Sequence, residues 1–183
     1  MTADQYVCTE FVVEETPDAV CVSNLGVASY VLAAVAPDRE RNCYQWGSMG
    51  VTTPVGLGLA LATDDPVTVL DGDGSTLMSL GAFATLAAEA PPNLTVVVWR
   101  NGVYGTTGGQ PTHEADIAAA ARACGVRAEH VASDEAFASA YADAVAADEV
   151  SVVVCDVDPV DPEARPPFDY VAVVNRVRES LLE

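Results

Sequence analysis

Val67-Thr-Val-Leu-Asp-Gly-Asp-Gly-Ser75, followed after an alanine- and leucine-rich stretch by Leu94-Thr-Val-Val-Val-Trp-Arg-Asn101, decides how this chain folds. Val67 to Leu70 is a short β-branched run ending in glycines, Ser75 to Ala88 has the length and composition of a helix, Pro91-Pro-Asn93 marks a turn, and Leu94 to Trp99 reads as a second, buried strand. This is one βαβ unit. A right-handed crossover returns the second strand parallel to the first, so Asp73 and Asn101, 28 positions apart, both fall just beyond the carboxyl edge of one sheet.

The flanking sequence extends the same alternation. Ala19 to Val22 reads as a first strand, Glu114 to Cys124 as a helix stopped by Gly125, and Val126 to Val131 as a strand. Asp134 to Ala147 follows as a helix and Val150 to Asp156 as a strand. The expected class is α/β, a doubly wound parallel sheet with helices on both faces. One domain is expected over 1–183, with a core at 19–158, a proline-rich connector at Asp158 to Pro167 and a terminal helix at about 168–182. No internal repeat and no membrane-length apolar run interrupts it.

Two oxygens converging on one sheet edge suit magnesium, which takes near-octahedral oxygen ligands and keeps places for phosphate and water. Asp73 supplies the charge, Asn101 an amide oxygen, and the Val103 carbonyl a third protein ligand. Gly72 and Gly74 leave room for a phosphate to approach, and a helix opening at Ser75 turns free N–H groups toward the anion. Competing readings differ in strength. Asp-Gly-Asp-Gly alone also describes a surface turn. An EF-hand counted from Asp71 fails, because Thr76 stands at its glycine position and Ala82 at its glutamate. A P-loop fails because the chain has no lysine, and Gly56-Leu-Gly58 lacks the third glycine of a dinucleotide fingerprint.

With the spaced motif in hand, Gly72-Asp-Gly74 and Asn101 resemble the cofactor motif of thiamine diphosphate enzymes. Tyr44-Gln-Trp-Gly-Ser-Met-Gly-Val-Thr-Thr53 is similar to the segment of 2-oxoacid decarboxylases that contacts the aminopyrimidine and thiazolium rings. The resemblance implies a cofactor site at Gly47, Ser48, Met49, Gly72, Asp73, Gly74, Ser75, Asn101 and Val103. In it the Gly47 carbonyl accepts from the pyrimidine amine and Met49 wedges the cofactor into its bent shape, an orientation effect. An ordinary core methionine is the alternative for Met49.

Tyr104-Gly-Thr-Thr-Gly-Gly-Gln-Pro-Thr112, with Val22-Ser-Asn-Leu-Gly26 and Trp46-Gly-Ser-Met49, resembles the β subunits of sulfopyruvate decarboxylase and the matching half of phosphonopyruvate decarboxylase, from about Ala19 to Asp158. Arg100 and Ser29-Tyr-Val31 depart from the pattern. The implied protein is the magnesium- and diphosphate-binding subunit of a hetero-oligomeric carboxy-lyase using thiamine diphosphate. Its substrate is an anionic 2-oxoacid, foremost sulfopyruvate, which would give carbon dioxide and sulfoacetaldehyde on a route to coenzyme M. A pyrimidine-binding α subunit would supply the catalytic glutamate. Phosphonopyruvate decarboxylation and a non-catalytic cofactor-binding scaffold are the rivals. His113 is a candidate proton donor or an exposed helix-start histidine. Gln110 is a candidate substrate contact, and His130 reads as structural.

Charge bounds the partners. Acidic residues number 27 against 8 arginines, for a net charge of −19 in a chain that is 50% hydrophobic. The apolar content excludes a disordered acidic tail. Absent lysine with excess carboxylate reads as halophilic, since molar salt screens repulsion within a few ångströms. No basic stripe exists for nucleic acid or an anionic membrane. Five unpaired-looking cysteines, Cys8, Cys21, Cys43, Cys124 and Cys155, without CxxC or signal peptide, read as reduced thiols in the cytoplasm. Missing CxxC pairs also disfavour an iron–sulfur subunit. Asn93-Leu-Thr95, formally a glycosylation sequon, sits where a buried strand begins and reads as structural.

Overall fold

The computed structural model describes residues 2–182. Its centre is a six-stranded parallel sheet in the order β2-β1-β3-β4-β8-β7, made of β1 (Val20–Ser23), β2 (Asn42–Tyr44), β3 (Val67–Gly72), β4 (Leu94–Arg100), β7 (Arg127–Val131) and β8 (Ser151–Asp156). A two-residue antiparallel hairpin, β5 (Val103–Tyr104) and β6 (Gln110–Pro111), rises from the end of β4.

Alternation along the strands builds two cores. On β4, Val97 and Trp99 face α1 (Gln5–Glu15), α2 (Val27–Val35) and α7 (Asp134–Ala146), packing with Cys8, Leu32, Phe137 and Tyr141. Val96 and Val98 face α3 (Thr52–Ala60), α5 (Ala82–Glu89), α6 (Ile117–Ala123) and α8 (Tyr170–Ser180), packing with Leu57, Phe83, Ile117 and Val177. Period-two burial on both faces is why these strands read as continuous apolar runs. The doubly wound architecture expected from the sequence is present.

Several element boundaries differ from expectation. The helix expected over Ser75 to Ala88 is two: α4 (Asp73–Leu77) ends in turns where Met78 and Ser79 N–H reach back three residues, and α5 begins only after Gly81. The helix therefore opens at Asp73 rather than Ser75. The helix expected from Glu114 begins at Ile117, because the Asp116 side chain accepts from the Ala119 N–H at 2.8 Å and caps it there. Helix α1 was not expected at all.

The chain runs from β1 outward to β2 and then crosses to β3 on the other side of β1, so the strand order reverses between β1 and β3. Crevices at such reversals, beyond the carboxyl ends, are where open α/β sheets bind ligands. Asn93 fastens the opposite end: its Nδ2 donates to the Ala60, Thr63 and Asp65 carbonyls, which gives this asparagine a structural task. Among the described residues no helix is long and apolar enough to cross a membrane, and all five cysteines are free thiols.

Candidate functional site

A cavity of about 90 Å³ opens at the reversal, lined from beyond β1 by Asn24 and Leu25, from the β3–α4 junction by Gly72 to Ser75, and from the end of β4 and the turn after it by Trp99 and Asn101. Val103 to Thr107 of the hairpin and Met49 complete most of its rim. Asp73 is 4% exposed. Its Oδ1 accepts from the Gly74 N–H at 2.8 Å, and its Oδ2 from the Gly102 N–H at 3.0 Å and the Thr112 hydroxyl at 2.8 Å. Asn101 Oδ1 accepts from the Val103 N–H at 3.0 Å. Both side chains are thus oriented before any ligand arrives; Asp73 Oδ2 already accepts two hydrogen bonds, while Asp73 Oδ1 and Asn101 Oδ1 accept one each and retain acceptor capacity.

The glycines have separate tasks. A Cβ on Gly74 would stand 2.4 Å from the Tyr104 ring and 3.1 Å from Thr112, so this glycine admits the hairpin against the site. At Gly26, with φ +82°, a Cβ would stand 2.9 Å from Thr106. The β1–α2 turn is further fixed by Ser29, whose hydroxyl donates to the Asn24 carbonyl at 2.7 Å. Asn24 Oδ1 in turn accepts from the Thr52 hydroxyl at 3.2 Å.

Behind the rim lies Asp71, fully buried, with hydrogen bonds from the Gly72 N–H and Thr53 hydroxyl. Burial pushes its carboxyl up to about 6, against the pull of the Ser75 hydroxyl, the Gly72 amide and Thr53. Ser75 also accepts from the Gly50 N–H at 3.0 Å, tying the Gly47-Ser-Met49 loop to α4.

That loop is only partly built into the cavity. Met49 is half-buried and lines the rim, whereas Gly47 and Ser48 are exposed and do not line it. Trp46 anchors the loop by stacking on Phe168 at 4.0 Å, beside Tyr30, over whose ring Arg165 lies at 4.0 Å. His113 and Gln110 are exposed and lie outside the cavity, Gln110 accepting from Thr107 at 3.3 Å. His130 joins a separate cluster. Its Nε2 lies 2.8 Å from Asp156, which also accepts from Arg100 at 2.7 Å. Burial works to raise the Asp156 carboxyl, but the hydrogen bonds and charges of His130 and Arg100 outweigh it and hold it below the usual range.

Of the nine residues that the sequence places at one site, Met49, Gly72, Asp73, Gly74, Ser75, Asn101 and Val103 line the cavity, and Gly47 and Ser48 do not. Sequence reasoning assigned no task to Asn24, Thr112, Tyr104 or Gln5. Asn24, Tyr104 and Thr112 all lie in the stretches 22–26 and 104–112 singled out above, so their signal was available; Gln5 had none.

Residues 21–155 match the family model described as thiamine pyrophosphate enzyme, C-terminal TPP binding domain. The chain belongs to this family. It is 42% identical over 166 residues to a phosphonopyruvate decarboxylase of Streptomyces viridochromogenes, a match covering 88% of this chain and 42% of that one. It is 39% identical over 143 residues to the sulfopyruvate decarboxylase subunit beta of Methanocaldococcus jannaschii, covering 76% of each. The chain thus spans less than half the length of the first relative. The crystal structure of benzoylformate decarboxylase from Polynucleobacter necessarius shares the fold, with a TM-score of 0.75 at 23% identity over 89% of this chain and 34% of that one.

The donor set suits a thiamine pyrophosphate enzyme that holds its diphosphate through magnesium. Among the described residues no three His, Cys, Asp or Glu side chains gather to hold an ion. One buried carboxylate with an amide oxygen leaves positions to be filled by phosphate and water, as magnesium prefers.

Proposed function

We propose that this chain is the magnesium- and diphosphate-binding subunit of a two-subunit thiamine diphosphate-dependent 2-oxoacid decarboxylase, acting on sulfopyruvate to give sulfoacetaldehyde and carbon dioxide. The observation that carries the reading is the meeting of Asp73, Asn101 and Val103 on one cavity at the sheet's reversal in a chain of this family. Asp73 and Asn101 would hold magnesium with the Val103 carbonyl, and Gly72, Gly74 and Ser75 would line the diphosphate. Gly47, Ser48 and Met49 would meet the rings. When bound, the cofactor supplies an electron sink for the departing carboxylate. The protein's part is to fix the cation, exclude water with the hairpin and present Met49 as an orienting wedge.

A partner fits the unfinished side of the site. Val51 and Val55, which follow the loop carrying the exposed Gly47 and Ser48, are exposed, as is Met78, which lies beside Gly50 at the loop's end, and exposed apolar groups beside a site favour a protein neighbour. The proposed neighbour is a pyrimidine-binding α subunit that brings the catalytic glutamate. The name subunit beta on the relative aligned over 76% of each chain supports this. A second substrate, phosphonopyruvate, is favoured by the 42% identity over most of this chain.

Copurification from the native source, followed by assay of the complex against sulfopyruvate, phosphonopyruvate and pyruvate, tests the reading. Decarboxylation of sulfopyruvate fastest, and only with the partner present, is the expected result. Undiminished activity of the Asp73→Ala complex would instead point to a scaffold.

A further inference from the structure

Gln5 opens α1, outside the residues matched by the family model, yet it lines the same cavity as Asp73 and Asn101. It is 2% exposed, and among the described residues neither its Nε2 nor its Oε1 has a hydrogen-bond partner. Trp99, also 2% exposed, lines the cavity two positions before Asn101 on β4, and its indole Nε1–H is likewise unpartnered. Native proteins rarely leave such groups unpaired. Here the two residues that carry them, from elements far apart in sequence, both line one space, with the polar atoms themselves buried at its edge.

The charge of that space is unusual for an anion site. Among the described residues no arginine, lysine or histidine lines it, and Asp73 is its one charged side chain. A diphosphate bound there has its charge met by the divalent cation, and its remaining oxygens need neutral donors. Gln5 Nε2–H and Trp99 Nε1–H are donors of that kind.

We propose that Gln5 and Trp99 form a neutral hydrogen-bonding wall that donates to diphosphate oxygens not engaged by the cation, with Gln5 Oε1 accepting from an ordered water. The proposal rests on the cofactor reading above and adds an element outside the matched family region to it. It also explains why a glutamine is buried at the start of α1, where a side chain of leucine size would pack without orphaned atoms.

Calorimetric titration of the chain with magnesium pyrophosphate tests this, using Gln5→Leu and Trp99→Phe. Each substitution is expected to raise the Kd about tenfold, the loss of roughly one hydrogen bond to a charged acceptor. The melting temperature of ligand-free Gln5→Leu should be unchanged or higher, because an unpaired buried polar group has been replaced by an apolar one; Trp99→Phe also removes volume packed against Phe137, so it is read by its Kd and not by its melting temperature. A purely structural glutamine gives the reverse pattern, a lower ligand-free melting temperature with wild-type Kd, and that result overturns the proposal. Gln5→Met, flexible enough to fit an irregular gap, repeats the measurement should Gln5→Leu fail to fold. Equal binding by wild type and variants sinks the wall alone. Failure of the wild-type chain to bind magnesium pyrophosphate sinks the cofactor reading with it.

Discussion

Asp73 is buried and takes hydrogen bonds from Gly74, Gly102 and Thr112, whereas Gly47 and Ser48 stand exposed on a loop anchored mainly through Trp46. The first region joins three strand ends and a hairpin into one cross-tied rim. The second leans on aromatic stacking with a segment near the C-terminus, and its neighbours Val51 and Met78 are exposed. Both regions belong to the same proposed cofactor site. On that proposal, the contrast teaches that the cation end is organised within this chain, while the ring end stays exposed for another surface to complete.

The largest effect should come from breaking the organised end. Asp73→Ala removes the one charged side chain of the proposed metal site, and its magnesium pyrophosphate affinity should fall by more than the roughly 10–100-fold typical for losing an outer partner of a metal ligand. Titration calorimetry reads this directly. An affinity within threefold of wild type would show that the cation end is not where the contrast places it.

How much of this was legible in sequence follows the same division. The βαβ unit and its paired Asp73 and Asn101 could be read because β-branched runs and turn residues are local signals, and parallel pairing then fixes where strand ends lie. Helix α1 was not legible. Its segment, Gln5-Tyr-Val-Cys-Thr-Glu-Phe-Val-Val-Glu-Glu15, is rich in β-branched and aromatic residues, so that beyond the Asp4 cap at its start it leans on burial of Cys8 and Val12 against α2 and α7. Gln5 and Trp99 were invisible as cavity residues for the same reason, since their proximity exists only after the sheet and α1 pack. The break between α4 and α5 also left no strong breaker in sequence, Gly81 being the one hint. Glycine at 74 was read as room for phosphate, but the space it leaves is also taken by Tyr104.

The next effect should separate the two ends by salt. Among the described residues the acid–base contacts are Arg41 with Asp65 and Asp156 with Arg100 and His130, so most of the 27 carboxylates have no cationic neighbour. Raising KCl from 0.1 to 2 M shortens the screening length from about 10 Å to under 3 Å. The melting temperature should rise by about 10 °C, equivalent to a few kcal/mol for a chain of this size, and the partner should be retained only at high salt. A melting temperature indifferent to KCl would remove the halophilic reading.

A smaller effect sharpens the ring end. Phe168→Ala deletes the ring stacked on Trp46, a contact worth about 1 kcal/mol for such pairs. The tryptophan emission should shift to the red as Trp46 meets water, and the KM for the cofactor in the complex should rise about fivefold. Magnesium pyrophosphate binding, which uses the other end, should stay within twofold of wild type. Loss of both together would mean that the two ends are one cooperative unit and that the contrast drawn here fails.

The smallest effect lies beside the organised end, at Arg100, His130 and Asp156. The Asp156 carboxyl is held below its ordinary value in the folded chain, so the unfolded chain binds its proton more readily. Its contribution is therefore fully present above the unfolded value of about 4 and is lost as pH falls through the lower folded value. Asp156→Asn should melt slightly below wild type at pH 7, with the gap closing as pH falls below about 4. The difference will be small because the group is partly exposed and solvent screens it. Arg100 immediately precedes Asn101, and its carbonyl accepts from the Val157 N–H at 3.2 Å, so this backbone tie survives the substitution. Magnesium affinity should therefore be unchanged at pH 7; a loss of more than about threefold, near 0.6 kcal/mol, would extend the organised end as far as β8.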